Sequence, residues 1–319
     1  MGIKLIILMA TYNGAKYLRQ QLDSIKLQTY RDWELYIRDD QSTDETPVIL
    51  QSYAAKDKRI KLLDIAGPHG SPGLNFSVLF NYVSTKKNDY IMFADQDDVW
   101  NLDKIAVSLS FIQALEQKEA NDLPLLVYSN FQFVDEKTSV LHQELPMPSE
   151  LIMPVLLTAN YAYGCTMMLN QALVNKIKVI PETAEFHDYW ISLVACVFGK
   201  AVLLPQKLLK YRQHNRNAST NVYSRSIASR FRRYIYRPAD RLPFLTRQHK
   251  MIGVFFKTYQ NDLTQAMSFL IKEYLKAFNQ SNVALLSFML RKKLRMVGLL
   301  QTFAHFYIVI YLRKKIISV

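Results

Sequence analysis

The sequence predicts an α/β protein: a mostly parallel sheet with helices on both faces, followed by a C-terminal helical region. Three observations carry this. Apolar runs of strand length alternate with helix-spaced segments over the first hundred residues. Polar clusters stand directly after three of those runs. Beyond Thr220 the strand signals fade and the charge balance changes sign.

The elements follow in order. Residues 3–9 are an apolar run of the kind that makes a strand buried on both faces, and Thr11-Tyr12-Asn13-Gly14 turns the chain. Leu18, Leu22 and Ile25 recur at helical spacing, so 15–27 reads as a helix. Trp33 to Arg38 is a second strand that ends at Asp39-Asp40. The Ser42 to Pro47 segment caps a helix over Val48 to Lys56. Ile60 to Ile65 is a third strand, and the Gly- and Pro-rich stretch 67–73 is a loop. A helix around Phe76 to Val83 and a strand over Tyr90 to Ala94 lead into Asp95-Gln96-Asp97-Asp98. Further strands are expected over Leu125 to Ser129, Tyr163 to Leu169 and Ala201 to Leu204, with a helix over Ile191 to Val197. In such sheets ligands bind at the carboxyl ends of the strands, where the polar clusters fall.

Composition sets the outer bounds. The 319 residues suit one large domain, or a domain of roughly 200 residues with an appendage. Half of the residues are apolar and 21% are charged, which excludes a disordered chain. Two cysteines, Cys165 and Cys196, exclude a disulfide scaffold and a Cys-rich zinc site, and each reads as a buried thiol. The apolar start is too short for a signal or spanning helix, and the uncharged stretch Met296 to Leu312 is marginal for spanning. The net charge of +13 is uneven: 18 of the 40 Lys and Arg, but only 3 of the 27 Asp and Glu, lie beyond Thr220. Residues 1–220 therefore read as a near-neutral catalytic domain, and 221–319 as a basic helical region.

The clusters allow alternative readings. Three carboxylates at 95–98 suit Mg²⁺ or Mn²⁺ bridging to nucleotide phosphates, or form an acidic loop that caps the next helix. Asp39-Asp40 is either an Asx turn or a carboxylate for the N3–H of a pyrimidine that stacks on Tyr12. Asp188, among Phe186, His187, Tyr189 and Trp190, is either a general base raised by its apolar setting or an N-cap. His214 is either a metal ligand or structural. The chain has no P-loop, dinucleotide fingerprint, HExxH, serine elbow or cysteine nucleophile motif.

Taken together, Ala10 to Gly14, the Gln28-Thr29 to Glu34 segment, Asp39 to Asp44 and Asp95 to Trp100 resemble the family-2 inverting glycosyltransferases of the GT-A fold. The resemblance runs on through Gly164 to Met168, His187 to Trp190 and Tyr211 to His214, and covers about residues 3–220. The nearest sub-pattern is that of bacterial rhamnosyltransferases of cell-wall and capsular polysaccharide. It implies that Asp188 is the catalytic base. Thr11, Tyr12, Asn13, Asp40 and Asp95 would hold the nucleotide, and Asp97 and His214 the Mn²⁺ or Mg²⁺. Asp39, Asp98, His187, Trp190 and Arg212 would support them. His187 replaces the commoner Glu but matches the rhamnosyltransferase-like group, and Asn215-Arg216 departs from the Gly-containing continuation.

The resemblance further implies a dTDP- or UDP-sugar donor, dTDP-β-L-rhamnose first, and a saccharide acceptor carried on a polyprenyl diphosphate. The rival readings are a UDP-glucose, UDP-galactose or UDP-GlcNAc donor, and an inactive scaffold paired with an active transferase. Arg225, Arg230, Arg232, Arg233, Arg237 and Arg241, interleaved with aromatics, suggest contact with an anionic membrane surface. Homodimerisation through the same helices is an alternative, and nucleic acid is not an expected partner. The expected location is cytoplasmic, peripheral on the inner face of the plasma membrane.

Overall fold

A computed structural model describes residues 3–67, 70–86, 88–119, 122–184, 186–214 and 236–318. The chain divides into two compact units, Met1–Leu151 with Tyr161–Asn221, and Ile152–Asn160 with Val222–Val319. Most of the basic run at 225–241 lies outside the described residues, as does Asn215-Arg216.

The first unit begins with β1 (Leu5–Thr11), α1 (Ala15–Lys26), β2 (Trp33–Asp39), α2 (Thr46–Lys56), β3 (Ile60–Leu62), α3 (Pro72–Ser84) and β4 (Tyr90–Ala94). It continues with β5 (Val99–Trp100), α4 (Lys104–Glu116) and β6 (Leu125–Val134). After α5 (Met153–Leu156), which belongs to the second unit, come β7 (Met167–Asn170), α6 (Gln171–Ile177), α7 (His187–Phe198) and β8 (Lys200–Arg212).

Among the described residues eight strands form one sheet, in the order β3-β2-β1-β4-β7-β6-β8-β5. β1, β2, β3 and β4 are mutually parallel, as are β6 and β8, while β7 and β5 run against their neighbours. The mostly parallel sheet is thus a mixed one. Every residue of β1 and β4 is buried, which is why both read as unbroken apolar runs. Helices flank the sheet in two groups, α1 with α2, and α3 and α6 with α7.

Several elements differ from the expectation: β3 stops at Leu62, short of Ile65, β6 runs on past Ser129 to Val134, and β5 is an additional short strand. β8 runs on to Arg212 instead of ending at Leu204. Pro205 cannot donate to a ladder, and the pairing with β6 steps from Ser129↔Leu204 to Asn130↔Lys207, so the strand bulges around the proline and resumes. The strand expected over Tyr163 to Leu169 begins only at Met167, because Gly164–Thr166 form a 3₁₀ turn. The helix expected from Ile191 starts four residues earlier at His187, with Phe186 in the N-cap position, which removes the N-cap reading of Asp188.

Among the described residues the second unit contains α5, a 3₁₀ turn at Pro238–Arg241, and four longer helices: α8 (Leu242–Tyr259), α9 (Gln265–Gln280), α10 (Asn282–Arg291) and α11 (Leu299–Ile317). Thr264 caps α9 through Met267 N–H, and Ser281 caps α10 through Ala284 N–H. Ile252, Phe255, Ile271, Phe288, Val309 and Leu312 are among its buried side chains. Arg313, buried on α11, donates to the Phe278 carbonyl and to Asn282, fastening α11 to the α9–α10 turn. The segment Ile152–Asn160 joins this unit through Thr158, whose hydroxyl donates to the Arg295 carbonyl, and through the Pro154 carbonyl, which accepts Arg295 N–H. Among the described residues no helix is long and apolar enough to cross a membrane.

Candidate functional site

The order of the sheet reverses between β1 and β4, and ligand crevices of open α/β sheets form at such a point, beyond the strands' carboxyl ends. Thr11 to Gly14 follow β1, Asp39-Asp40 close β2, and Asp95 to Asp98 follow β4. The structure therefore brings the three polar clusters to one end of adjacent strands.

The turn after β1 is fixed from both sides. Asn13 takes a left-handed φ of 46°, which Asn tolerates better than most residues. Its N–H donates to Ser42 Oγ and its Oδ1 accepts Thr43 N–H. Gln96 reaches across from the β4 loop, accepting Tyr12 N–H at 2.9 Å and donating to the Tyr12 carbonyl at 3.0 Å. A Cβ on Gly14 would stand 2.2 Å from Gln96 Oε1, so only glycine leaves room for this clamp. The Tyr12 ring itself is exposed, as a stacking platform requires.

Asp39 and Asp40 divide their work. Asp39 accepts from the Thr11 and Ser42 hydroxyls and from Ser42 N–H, so its carboxylate is spent on holding β1 to the loop after β2. Asp40 is buried, lies 3.4 Å from Arg38 Nη1, and accepts Gly70 N–H at 2.9 Å.

The acidic loop is neutralised from below. Asp98 is buried; its Oδ1 accepts Arg212 N–H, and its Oδ2 has no nitrogen or oxygen partner among the described residues. The Arg212 guanidinium donates to the carbonyls of Asp97 and Glu136 and to Gln20, and stacks on Tyr17. This contact follows from register: β5 pairs Val99 with Lys210, which carries Asp97 and Asp98 beside Tyr211 and Arg212. A second cation is Lys104, fully buried in the first turn of α4. Its ammonium lies over the Trp100 ring and donates to the Cys165 carbonyl. Burial lowers Lys104 to about 8, against the raising influence of Cys165, Asp98 and Asp95. Asp95 is pushed up to about 7 by burial and then by repulsion from Asp97. Asp98 is raised well above the usual carboxylate range, by burial first.

Asp188 is the second residue of α7, where the helix N-terminus favours a carboxylate. Burial nevertheless pushes it up to about 6, against hydrogen bonds from the Tyr189 and Gly164 N–H groups. Gly164 and Cys165 reach the end of β4 because β7 runs antiparallel to it, with Met92 opposite Met168. Asp188 is close enough to Asp95 to raise it further. His187 faces elsewhere. It is buried between the Phe76 and Phe93 rings, and burial lowers it to about 3, so it stays neutral. Its Nε2 points at Gly164, where a Cβ would come within 2.6 Å. Trp190 is wholly buried. Both read as supports for α7.

The donors for a divalent cation are of two kinds. Asp97 Oδ2 and His214 Nε2 lie 2.8 Å apart at the edge of the loop, a carboxylate and an imidazole that suit Mn²⁺ or Mg²⁺. Asp95, Asp98 and Cys165 also converge, with donor atoms within 4.8 Å of one another. Burial holds the Cys165 thiol protonated, and Lys104 already supplies a positive charge there, so this deeper group fits a metal poorly. The sequence reading misses Lys104, and it takes Cys165 as a buried thiol, which it is, without placing it beside the acidic loop. Lys104 sits in a segment that carried no assignment, and one buried lysine on a helix leaves no pattern.

The family profile "Glycosyl transferase family 2" matches residues 6–177. An uncharacterised glycosyltransferase of Rickettsia prowazekii (strain Madrid E) is 30% identical over 189 residues, covering 57% of this chain and 55% of that protein. The chain spans about half the length of the first curated relatives it matches. The Escherichia coli protein WfgD, named a UDP-Glc:alpha-D-GlcNAc-diphosphoundecaprenol beta-1,3-glucosyltransferase, is 27% identical over 68% of this chain and 80% of its own length. The dTDP-rhamnosyl transferase RfbG of Shigella flexneri is 41% identical, over 30% of this chain and 34% of its own. Among solved structures, S. aureus TarS 1-349 with UDP superposes with a TM-score of 0.55 at 18% identity, covering 88% of this chain and 73% of that one.

Proposed function

This chain belongs to glycosyl transferase family 2 and has the GT-A fold, and on that premise we propose that it is an inverting, metal-dependent transferase of bacterial surface polysaccharide. It moves a sugar from a nucleoside diphosphate to a hydroxyl of a saccharide acceptor. The observation that carries this reading is Asp188: a carboxyl raised to about 6, beside the acidic loop at the carboxyl end of β4. A base of that strength is charged at neutral pH and still takes a proton.

Asp188 removes the proton of the acceptor hydroxyl as that oxygen bonds to the anomeric carbon. The bond from that carbon to the diphosphate breaks on the opposite face, so the configuration inverts. Tyr12 stacks on the base and Asp40 faces its polar edge, while Asp95 meets the ribose. Asp97 and His214 would hold Mn²⁺ or Mg²⁺, which when bound supplies positive charge to the leaving diphosphate. Asp39, Asp98, Trp190 and Arg212 keep these groups in place.

For the donor we favour dTDP-β-L-rhamnose, supported by the 41% identity with the Shigella rhamnosyl transferase and by His187 before the catalytic Asp. The second reading is a UDP-hexose, supported by the longer match to the E. coli glucosyltransferase. The name of that relative also supports an acceptor on a polyprenyl diphosphate, which would bring the enzyme to the inner face of the plasma membrane. Thermal-shift titration against dTDP-rhamnose, UDP-glucose, UDP-galactose and UDP-GlcNAc, each with Mn²⁺ or EDTA, tests the reading. One donor should stabilise the protein only with metal, and Asp97→Asn should abolish the shift. No shift with any donor would favour the inactive scaffold.

A further inference from the structure

The helix α11 is apolar on two sides. Its inner side, with Ile308, Val309, Leu312 and Ile316, is buried in the helical unit. Its outer side carries Leu299, Leu300, Phe303, Tyr307 and Tyr311, all exposed, with Leu299 at 79%, Phe303 at 63% and Tyr311 at 61%. Leu299, Phe303, Tyr307 and Tyr311 recur every four residues, and Leu300 stands three before Phe303, so they form one stripe along the helix. The Tyr307 and Tyr311 rings stack on each other along it. One turn beyond Tyr311 the stripe ends in Lys314 and Lys315, both exposed. A contiguous apolar face of this length is unusual on a soluble surface and marks a contact site.

We propose that the outer face of α11 lies in the plane of an anionic lipid bilayer, with Phe303 and its apolar neighbours in the acyl boundary and Lys314 and Lys315 at the headgroups. Three observations select lipid over another protein. The helix is not long and apolar enough to span, so it suits an in-plane position. Tyrosines on an apolar stripe match the wet and dry halves of a membrane interface. The chain carries +13 overall, and the residues beyond Thr220 hold more than all of it, with 18 Lys and Arg against 3 Asp and Glu. A second copy packed in parallel would set lysines against lysines, and an antiparallel one would set them over the apolar end at Leu299 and Leu300, whereas acidic lipids complement both parts of the stripe. The inference goes beyond the transfer reaction and stands without it.

The test is flotation of the full chain with vesicles of phosphatidylcholine alone or with a third phosphatidylglycerol. Binding should need the anionic lipid and fade with salt. Lys314→Gln with Lys315→Gln should weaken it by about tenfold or more, each charge near the surface being worth about fivefold. Phe303→Ser with Tyr307→Ser should abolish it. Phe303→Trp, which keeps the face apolar, should show tryptophan emission that shifts to the blue with anionic vesicles and is quenched by brominated acyl chains, relative to the parent. Nucleotide-dependent thermal shifts, measured on every variant, report that the first unit is folded and separate a failure here from a failure of the transferase reading. Equal binding by the Phe303→Ser, Tyr307→Ser variant and the parent overturns the proposal, as does a Phe303→Trp variant whose added emission vesicles leave unchanged. So does a parent that elutes as a dimer and becomes monomeric in the double-serine variant, with neither protein binding vesicles.

Discussion

Lys104 donates its ammonium to the carbonyl oxygen of Cys165 at 2.9 Å, joining the first turn of α4 to the 3₁₀ turn before β7. That turn also supplies the Gly164 N–H to Asp188. One buried cation thus ties the acidic loop and the proposed base to a common anchor. Lys104→Met keeps the side chain's bulk and removes its charge. Breaking one partner of a buried charged group costs about 3 kcal/mol or more. Urea unfolding should show a loss of that order, and nucleotide-dependent stabilisation should weaken with it. An unchanged midpoint would mean that Arg212 alone balances Asp95 and Asp98.

Asp188→Asn should divide activity from stability. Loss of a general base lowers turnover by about 10²–10⁴-fold. Donor affinity should hold, because nothing places Asp188 against the nucleotide. A kcat that falls by less than tenfold would remove Asp188 from the chemistry.

The pH dependence has a definite sign. A carboxyl raised from 3.8 to about 6 holds its proton more tightly in the folded chain than in the unfolded one. Folding is therefore penalised progressively as pH rises from about 4 to about 6, and the full penalty, about 3 kcal/mol, stands above that range. Asp188→Asn should raise the melting temperature at pH 8 by several degrees and leave it little changed at pH 4. Turnover of the parent should rise with pH and level off above about 6. A profile flat from pH 5 to 8 would contradict this.

Gly14→Ala tests the clamp on Tyr12. The new methyl meets the end of a flexible side chain, so Gln96 swings away and its two hydrogen bonds to Tyr12 are lost. Stability should fall by about 1–2 kcal/mol, and KM for the donor should rise while kcat changes little. Gln96→Ala should produce the same rise in KM. The two together should be no worse than either alone, since they break one contact. Additive effects would show that Gly14 acts by another route.

Much of the fold is legible in the chain because burial on both faces writes itself as apolar runs. Leu5 to Ala10 and Tyr90 to Ala94 could hardly be anything but inner strands, and the clusters after them mark the crevice. What escapes the sequence depends on distant partners. Pro205 hides the second half of β8, because the bulge that absorbs it is set by pairing with β6. Ile152–Asn160 shows no boundary signal, yet its carbonyl and hydroxyl bonds go to Arg295. At the site, the carboxylates announce themselves by density. Of the groups that make them tolerable, Arg212 is named only through the resemblance at Tyr211 to His214 and Lys104 not at all, because both meet the loop through the registers of β5 and β7.

The reach of Arg212 bears on how the protein is made. It stands 114 residues after Asp98, whose carboxylate accepts its backbone N–H, and 192 after Gln20, which it also holds. A nascent chain that has just exposed the acidic loop lacks the strand that closes it for on the order of ten seconds of synthesis. Until β8 emerges, those carboxylates must remain in water, and β5, which follows them and pairs only with β8, has no partner. The end of the sheet that carries the acidic loop is therefore completed late, and a ribosome stalled before Arg212 presents those carboxylates without the strand that backs them.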